Sequence, residues 1–376
     1  MPIMLKMSSE KYWNDIKNIV RSGLATTYLP AGTVLYDEPN QSASTRTAFE
    51  VVGFDMHFDP SLTADGYTHS ITLCQQKIDL RQYDAQEAFL YVELEMPPAT
   101  YRVRMPDGYD DANGGNGRSY LFTTTKNIPV GGQITLTWSS SASPSAVTTY
   151  SSPTSTTAIE SLSLSLWNGE DEAVFVGTIK YDSNTDESEY GKLNQIQCVR
   201  YGYNNYYQSG VRQLINSSLG ANEWWRPANI FDRPYSNRNV AGYLSTLNQD
   251  FVNTIATPEI THITNNKFEK AAIDGKTFSL QTEYKISTDR MFLLSHTEVN
   301  LSTSPNIGSV LDYYSGSGNS KRIKYRKDNG SSYYWWLRTP YPSYASNVRS
   351  VSSSGALDSS GGAYSTRGVA PACIIQ

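Results

Sequence analysis

The chain has 376 residues, a formal net charge of −5, a charged fraction of 18 % and 27 tyrosines. That length leaves room for roughly two or three domains, and a mild negative balance without a long basic run excludes a nucleic-acid footprint. Cys74, Cys198 and Cys373 lie far apart with no metal-ligand spacing, so they read as buried free thiols and not as a disulfide framework.

Residues 9–22 predict an amphipathic helix, with Tyr12, Trp13, Ile16, Ile19 and Val20 on one face and Gly23 as its stop. No signal-peptide core precedes it, and no run of about 20 apolar residues is present anywhere, so neither Sec-type export nor membrane insertion is expected. From Tyr28 the pattern shortens into strands over Leu29–Leu35, Ala48–Asp55 and Ser70–Cys74. The segment 84–188 has another texture. Strands are predicted near Phe89–Met96, Thr100–Met105, Ser119–Thr125, Gln133–Trp138, Ser161–Trp167 and Ala173–Tyr181, separated by turn-rich and Ser/Thr/Pro-rich stretches, which reads as a β-sandwich. Ser209 can cap a short helix over Val211–Leu219, stopped by Gly220. Asn239–Thr257 gives the clearest helical stripe, through Val240, Leu244, Leu247, Phe251, Val252 and Ile255, with Pro258 beyond it. Asp289–Ser295 reads as a buried strand, and a loop or short helix begins at His296.

The chain's last part is its most informative. Tyr333–Pro340 is an aromatic block, and 341–367 is mostly Ser, Gly, Ala, Tyr, Asn and Asp, with Val348, Val351 and Leu357 as aliphatic exceptions. Tyrosine offers contact area at low entropic cost and Ser, Gly and Asn offer adaptable polar contacts, so this stretch reads as a recognition surface. Trp335 and Trp336, like Trp224 and Trp225, are expected in the core. Arg338 is expected to hold a carboxylate or backbone carbonyls beneath the face, because its planar guanidinium serves both.

Catalytic chemistry finds little footing. His57, His69, His262 and His296 share no ligand spacing. His296-Thr297-Glu298 matches the deaminase triplet, but the Pro-Cys-x-x-Cys that completes that zinc site is absent. Neither a Gly-rich phosphate loop nor a nucleophile elbow occurs. The expectation is therefore no enzyme, no cofactor and no metal.

Phe49–Phe54, Ser209–Asn216, Asp289–Ser295 with Glu298, Trp335–Pro340, then Val351, Gly355 and Gly368-Val369 with Pro371-Ala372 occur in that order. Together they resemble the C-type-lectin-fold variable proteins of diversity-generating retroelements in gut bacteria and their phages. That fold is shared with formylglycine-generating enzymes and phage receptor-binding tips. The resemblance covers about 28–82 and 190–376 and implies a discontinuous C-type-lectin-like domain over 28–83 and 189–376. The antiparallel β-sandwich at 84–188 has no counterpart in the family and reads as an insert, because family-like strands flank it. With the helical segment over 1–27, the expected architecture is α+β. The resemblance also implies that 341–367 is rewritten by adenine-directed mutagenesis while the fold stays fixed. The ligand-binding residues carried over are Tyr341, Ser343, Tyr344, Ser346, Asn347, Arg349, Ser350, Asp358, Ser360, Tyr364 and Thr366, with Ser352, Ser354, Ala356, Ser359 and Ala363 also exchangeable and Arg367 a further contact. The framework carried over is Trp335, Trp336, Leu337, Arg338, Gly355 and Val369, with Val348, Val351 and Leu357 pinning strand register. Ala370 departs from the pattern, which commonly has Arg there.

Glu38-Pro39-Asn40 and Trp13-Asn14-Asp15 spell the calcium and sugar triplets of animal C-type lectins, but in reversed order and near the N-terminus. Calcium needs about six to eight converging oxygens, and no acidic cluster supplies them, so the match is chance. The function implied is recognition of a host cell-surface protein or glycan by a phage or prophage tail protein. It would sit on the virion, or in the cytoplasm before assembly, with other tail subunits as partners and a homo-oligomer adding avidity. The rival readings are a structural virion protein without diversified binding and a carbohydrate-active enzyme.

Overall fold

A computed structural model of the chain describes residues 8–42, 46–84, 87–92, 100–104, 119–123, 133–137, 175–181, 195–200, 205–226, 235–268, 280–301, 307–316, 318–341, 347–363 and 365–376. The first helix, α1 (Ser9–Arg21), starts where Ser8 accepts the Lys11 N–H and ends where the Gly23 N–H closes onto Val20 O. It buries Trp13, Ile16 and Val20. The Trp13 ring lies 4.3 Å from that of Phe251, and its indole N–H donates to Asp37 O at 2.9 Å. Covering a side chain of this size contributes on the order of 2–3 kcal/mol. A single turn, α2 (Ala25–Tyr28), follows.

Next come β1 (Val34–Tyr36), β2 (Ala48–Phe54), the short helix α3 (Pro60–Ala64), β3 (Ile71–Gln75) and β4 (Lys77–Gln82). Strands β5 (Glu87–Val92), β6 (Thr100–Arg104), β7 (Ser119–Thr123), β8 (Gln133–Thr137), β9 (Phe175–Tyr181) and β10 (Gln195–Arg200) form their own six-stranded antiparallel sheet, in the order β7-β6-β9-β10-β5-β8. This unit differs from expectation in two ways. It runs past residue 188 to include β10, and among the described residues its strands make one sheet, not two facing ones. The strand expected at Ser161–Trp167 lies outside the described residues. The chain departs after Asp84 and is back at Asn205, where the Tyr83 and Tyr206 rings lie 6.2 Å apart.

Beyond it lie α4 (Gly210–Ile215), α5 (Gln249–Thr254), β11 (Glu259–Phe268) and β12 (Leu280–Thr288), then β13 (Lys324–Arg326), β14 (Ser332–Tyr333), β15 (Trp335–Pro340), β16 (Asn347–Val351), β17 (Leu357–Gly362), β18 (Thr366–Val369) and β19 (Ala372–Ile375). An antiparallel sheet in the order β1-β2-β3-β19 pairs the end of the chain with its first third, Cys373 opposite Leu73. A seven-stranded mixed sheet runs β14-β13-β4-β18-β15-β16-β17, parallel where β13 meets β4 and where β15 meets β18. The chain passes between these sheets twice, at Gln76 and at Ala370–Pro371. The architecture is α+β.

Because β15 is covered on both sides, successive residues enter different cores. Trp336 joins Trp13, Phe49, Phe251 and Val348, whereas Trp335 and Leu337 join Val52, Phe292, Tyr314 and Val351. Cys74 and Cys373 are buried free thiols, and burial pushes both thiols up from their ordinary pKa. Trp224 is buried and Trp225 half-buried.

The helix expected over 239–257 is mostly not helical. Two short 3-10 turns, Ser236–Asn239 and Tyr243–Thr246, precede the six residues of α5. Gly242 packs so closely on the Ser217 backbone that a Cβ would collide with it, and the Asn248 side chain accepts the Asp250 N–H (2.8 Å), starting a new helix there. The apolar spacing still marked burial, since Leu244, Leu247, Phe251, Val252 and Ile255 are all core residues. Helix α4 is shorter than expected, ending as Asn216 turns its side chain to the Met291 backbone. Asp289–Ser295 is extended and buried from Met291 onward, but its only strand-like pairing among the described residues is a bridge from Phe292 to Ala372. The β11–β12 hairpin was not foreseen. Among the described residues no helix is long and apolar enough to cross a membrane.

Candidate functional site

Beneath the C-terminal strands lies a buried ion pair. Arg338 on β15 donates through its two Nη atoms to Glu298 Oε2 (2.6 Å) and Oε1 (2.5 Å), and also to Leu293 O (2.8 Å) and Thr261 O (3.2 Å). Glu298 lies on the turn after the extended segment, and its Oε2 accepts the Ser295 N–H at 2.8 Å. His57 Nε2 meets Oε1 at 3.0 Å, while His57 Nδ1 lies 3.1 Å from Thr72 Oγ1. Burial alone would raise the Glu298 pKa, but the Arg338 charge, with His57, holds the carboxyl well below the usual range. Arg338 thus engages both a carboxylate and carbonyls, as its fork permits. Neither Glu298 nor His57 could be assigned as its partner from sequence spacing.

A second buried network runs His262, Ser287, Asp289, Arg212. Ser287 Oγ donates to Asp289 Oδ2 (2.6 Å), and Arg212 grips both Asp289 oxygens at 2.8 and 2.9 Å. With its proton given to Asp289, Ser287 Oγ accepts from His262 Nε2 (2.5 Å). Burial, reinforced by the Arg338 and Arg212 charges, lowers the His262 pKa to about 2, so the ring is neutral. These residue types match a hydrolytic triad but their order does not. The serine sits between histidine and aspartate with its proton facing the acid, so the histidine does not activate it as a nucleophile. Among the described residues no group of three or more His, Cys, Asp or Glu could hold a metal.

Above these networks, β15 to β18 present the candidate recognition face. Arg367 donates to Ser350 Oγ (2.6 Å) and to Asp358 Oδ2, and Ser350 Oγ donates to Asp358 Oδ2 at 3.0 Å. The Arg367 guanidinium lies 4.7 Å from the Tyr334 ring centroid and 5.2 Å from that of Trp336. The turn between β16 and β17 is anchored from below. Gly355 has φ +83° with Asn319 O against the place a Cβ would occupy, and Arg322 Nε donates to Gly355 O at 2.8 Å.

The framework residues Trp335, Trp336, Leu337, Arg338, Gly355 and Val369 are all buried, as is Ala370. Of the expected contact residues, Thr366 is exposed, and Tyr341 and Asp358 are half-buried alongside Ser352, Ala356 and Arg367. The expectation of a common outward orientation fails for Asn347, Arg349 and Ser350, which are 3 %, 4 % and 0 % exposed, and for Ala363. On β16, an interior strand between β15 and β17, all five positions are buried, so neither of its faces is open to solvent. Ser343, Tyr344, Ser346, Ser360 and Tyr364 lie outside the described side chains. A pocket of about 200 Å³ opens elsewhere, lined by Asp79, Arg81, Tyr243 and Lys327 among others. It is smaller than an ordinary small-molecule site.

The arrangement defines an α+β protein whose mixed sheet carries a polar, tyrosine-bearing edge on an aromatic base. The family described as a domain of unknown function (DUF6273) matches residues 185–376, just over half of the chain, and the chain belongs to that family. No curated protein and no solved structure matches it.

Proposed function

We propose that the chain is a ligand-recognition protein of the C-type-lectin-fold class diversified by retroelements, presented by a phage or prophage tail to a host cell-surface protein or glycan. The observation that carries this reading is the separation of roles within the last strands. Their main chain is fixed by sheet pairing and by Trp335, Trp336 and Arg338, while Ser352, Ser354, Ala356, Asp358 and Thr366 reach solvent on top. Exchange at such positions alters the surface without altering the path of the strands. A preset backbone also reduces the ordering cost of binding.

The test is to replace Ser352, Ser354 and Thr366 together by alanine and to compare melting temperature with adhesion to a panel of gut bacterial cells. Surface changes of this kind shift stability by about 0.5 kcal/mol or less each, so the melt should hardly move while adhesion falls. A variant that unfolds, or one that adheres as before, overturns the proposal. Diversification itself predicts a neighbouring DNA copy of the final segment that differs at adenines alone.

A further inference from the structure

The C-terminal strands carry a buried charge, that of Arg349, which no described carboxylate balances. Arg349 sits where β16 shifts register against both neighbours: Val348 opposes Pro340 and Gly361, and Ser350 opposes Trp336 and Asp358. It is 4 % exposed, and its Nε is buried without a hydrogen-bond partner among the described residues. Other buried or half-buried arginines of the domain are engaged: Arg338 by Glu298, Arg212 by Asp289, Arg367 by Asp358, and Arg322 by Gly355 O and Val299 O. Arg349 has no described carboxylate in ion-pair range, and the adjoining stretch Pro342–Ser346 contains no acid. Its described contact is the Tyr341 ring, whose centroid lies 5.6 Å from the guanidinium carbon.

Burial disfavours the charge and lowers the Arg349 pKa, yet a guanidinium does not give up its proton in a protein. A buried cation without a counter-ion is costly to the fold, so its persistence at a recognition face calls for a partner from outside. We propose that Arg349 anchors the carboxylate of an acidic sugar in the recognised glycan, an inference that rests on the recognition reading above. The vacant Nε edge is one side of the fork that grips carboxylates through two parallel bonds. A lone cation matches a monoanion better than a phosphate dianion, and Arg367, the other arginine of these strands, is already neutralised by Asp358. The half-buried Tyr341 ring offers a flat surface for the sugar's C–H face.

The test uses the full chain, with the arginine Nε–Hε resonances followed by NMR as sodium glucuronate, glucose or N-acetylglutamate is added. The Arg349 signal, assigned by its loss in Arg349→Met, should shift saturably with glucuronate and not with glucose. N-acetylglutamate and Arg349→Lys should each weaken the response on the order of tenfold, because one loses the sugar contact and the other the planar fork. Glucuronate should raise the melting temperature of the wild type and leave Arg349→Met unmoved, and without ligand Arg349→Met should melt no lower than wild type. A much lower melt would make Arg349 a structural strut. Equal or tighter binding of N-acetylglutamate would remove the sugar, and no Arg349 response would remove the anion site. Adhesion of Thr366→Arg, which obstructs the face away from Arg349, separates the two readings. Undiminished adhesion there sinks recognition by this face, whereas the glucuronate titration alone decides the role of Arg349.

Discussion

At the scale of single residues, Glu298 carries the heaviest electrostatic load. It neutralises a fully covered guanidinium, accepts a backbone N–H and meets His57, so every part of its carboxylate is occupied. Glu298→Gln would leave Arg338 charged and unpaired, at a cost of about 3–5 kcal/mol, the range for breaking a buried pair from one side. Urea unfolding should show this as a lower midpoint with little change in slope. Removing both charges with Arg338→Met and Glu298→Leu should recover much of the loss. A Gln variant as stable as wild type would mean that the pair contributes nothing net. Arg338 was legible in the sequence because an arginine just inside an aromatic strand has few other uses. Its partners were not, because Glu298 lies 40 residues from Arg338 and His57 a further 241 away. Only the tertiary fold brings such groups together.

Secondary-structure elements show where apolar spacing misleads. The stripe over Asn239–Thr257 predicted burial correctly and conformation wrongly, because a close backbone approach at Gly242 and a cap at Asn248 divide the segment. The reading of β16 failed in the opposite direction. Its polar composition, with Val348 and Val351 as framework, suggested exchangeable side chains facing solvent, but all five of its positions are buried, the polar ones included. Asn248 provides the sharpest test of an element boundary. Its Oδ1 caps α5, its Nδ2 donates to Glu38 Oε2 at 2.7 Å, and Ser9 Oγ reaches the same Oδ1 at 3.2 Å. Asn248→Ala should therefore cost about 1–2 kcal/mol. Asn248→Asp would normally be a neutral exchange at an N-cap, yet here a carboxylate would face Glu38 and Asp37, whose Oδ2 accepts the Asn248 N–H. Thermal melts should find both variants destabilised, and an Asp variant that matches wild type would show that the Glu38 contact is dispensable.

For the molecule as a whole, the two sheets are closed by strands far apart in the chain, and this sets both its acid sensitivity and its divisibility. Asp59 links the α3 turn to the start of β11, accepting the Ser61 hydroxyl (2.6 Å), the Thr257 N–H (2.9 Å) and the Thr257 hydroxyl (2.8 Å). Burial would raise its pKa, but these bonds outweigh it and lower the value from 3.8 to about 2. A carboxylate depressed on folding stabilises fully above its unfolded pKa, and that stability is lost as pH falls through its folded pKa. A shift of this size is worth about 2 kcal/mol. Stability should be flat above pH ~5 and fall between about pH 4 and 2, with Asp59→Asn flattening that limb by about 2 kcal/mol, leaving the Glu298 contribution to decline at lower pH. Divisibility follows from the same topology. The family match begins at residue 185, yet β18 pairs with β4 and β19 with β3, so residues 185–376 cannot complete either sheet alone. The strands from 87 to 200 pair only among themselves among the described residues, and the chain ends around them already meet, with the Val211 N–H donating to Tyr83 O at 3.2 Å. Replacing 86–203 by a flexible Gly/Ser linker of roughly six residues, ample for that gap, should leave the aromatic near-UV signal of Trp13, Trp335 and Trp336 intact and the melting temperature within about 5 °C of wild type. Starting a chain at residue 185 should instead yield no cooperative melt. If the excised protein also failed to fold, the six-stranded sheet would be part of the same cooperative core, and its reading as an inserted unit would be wrong.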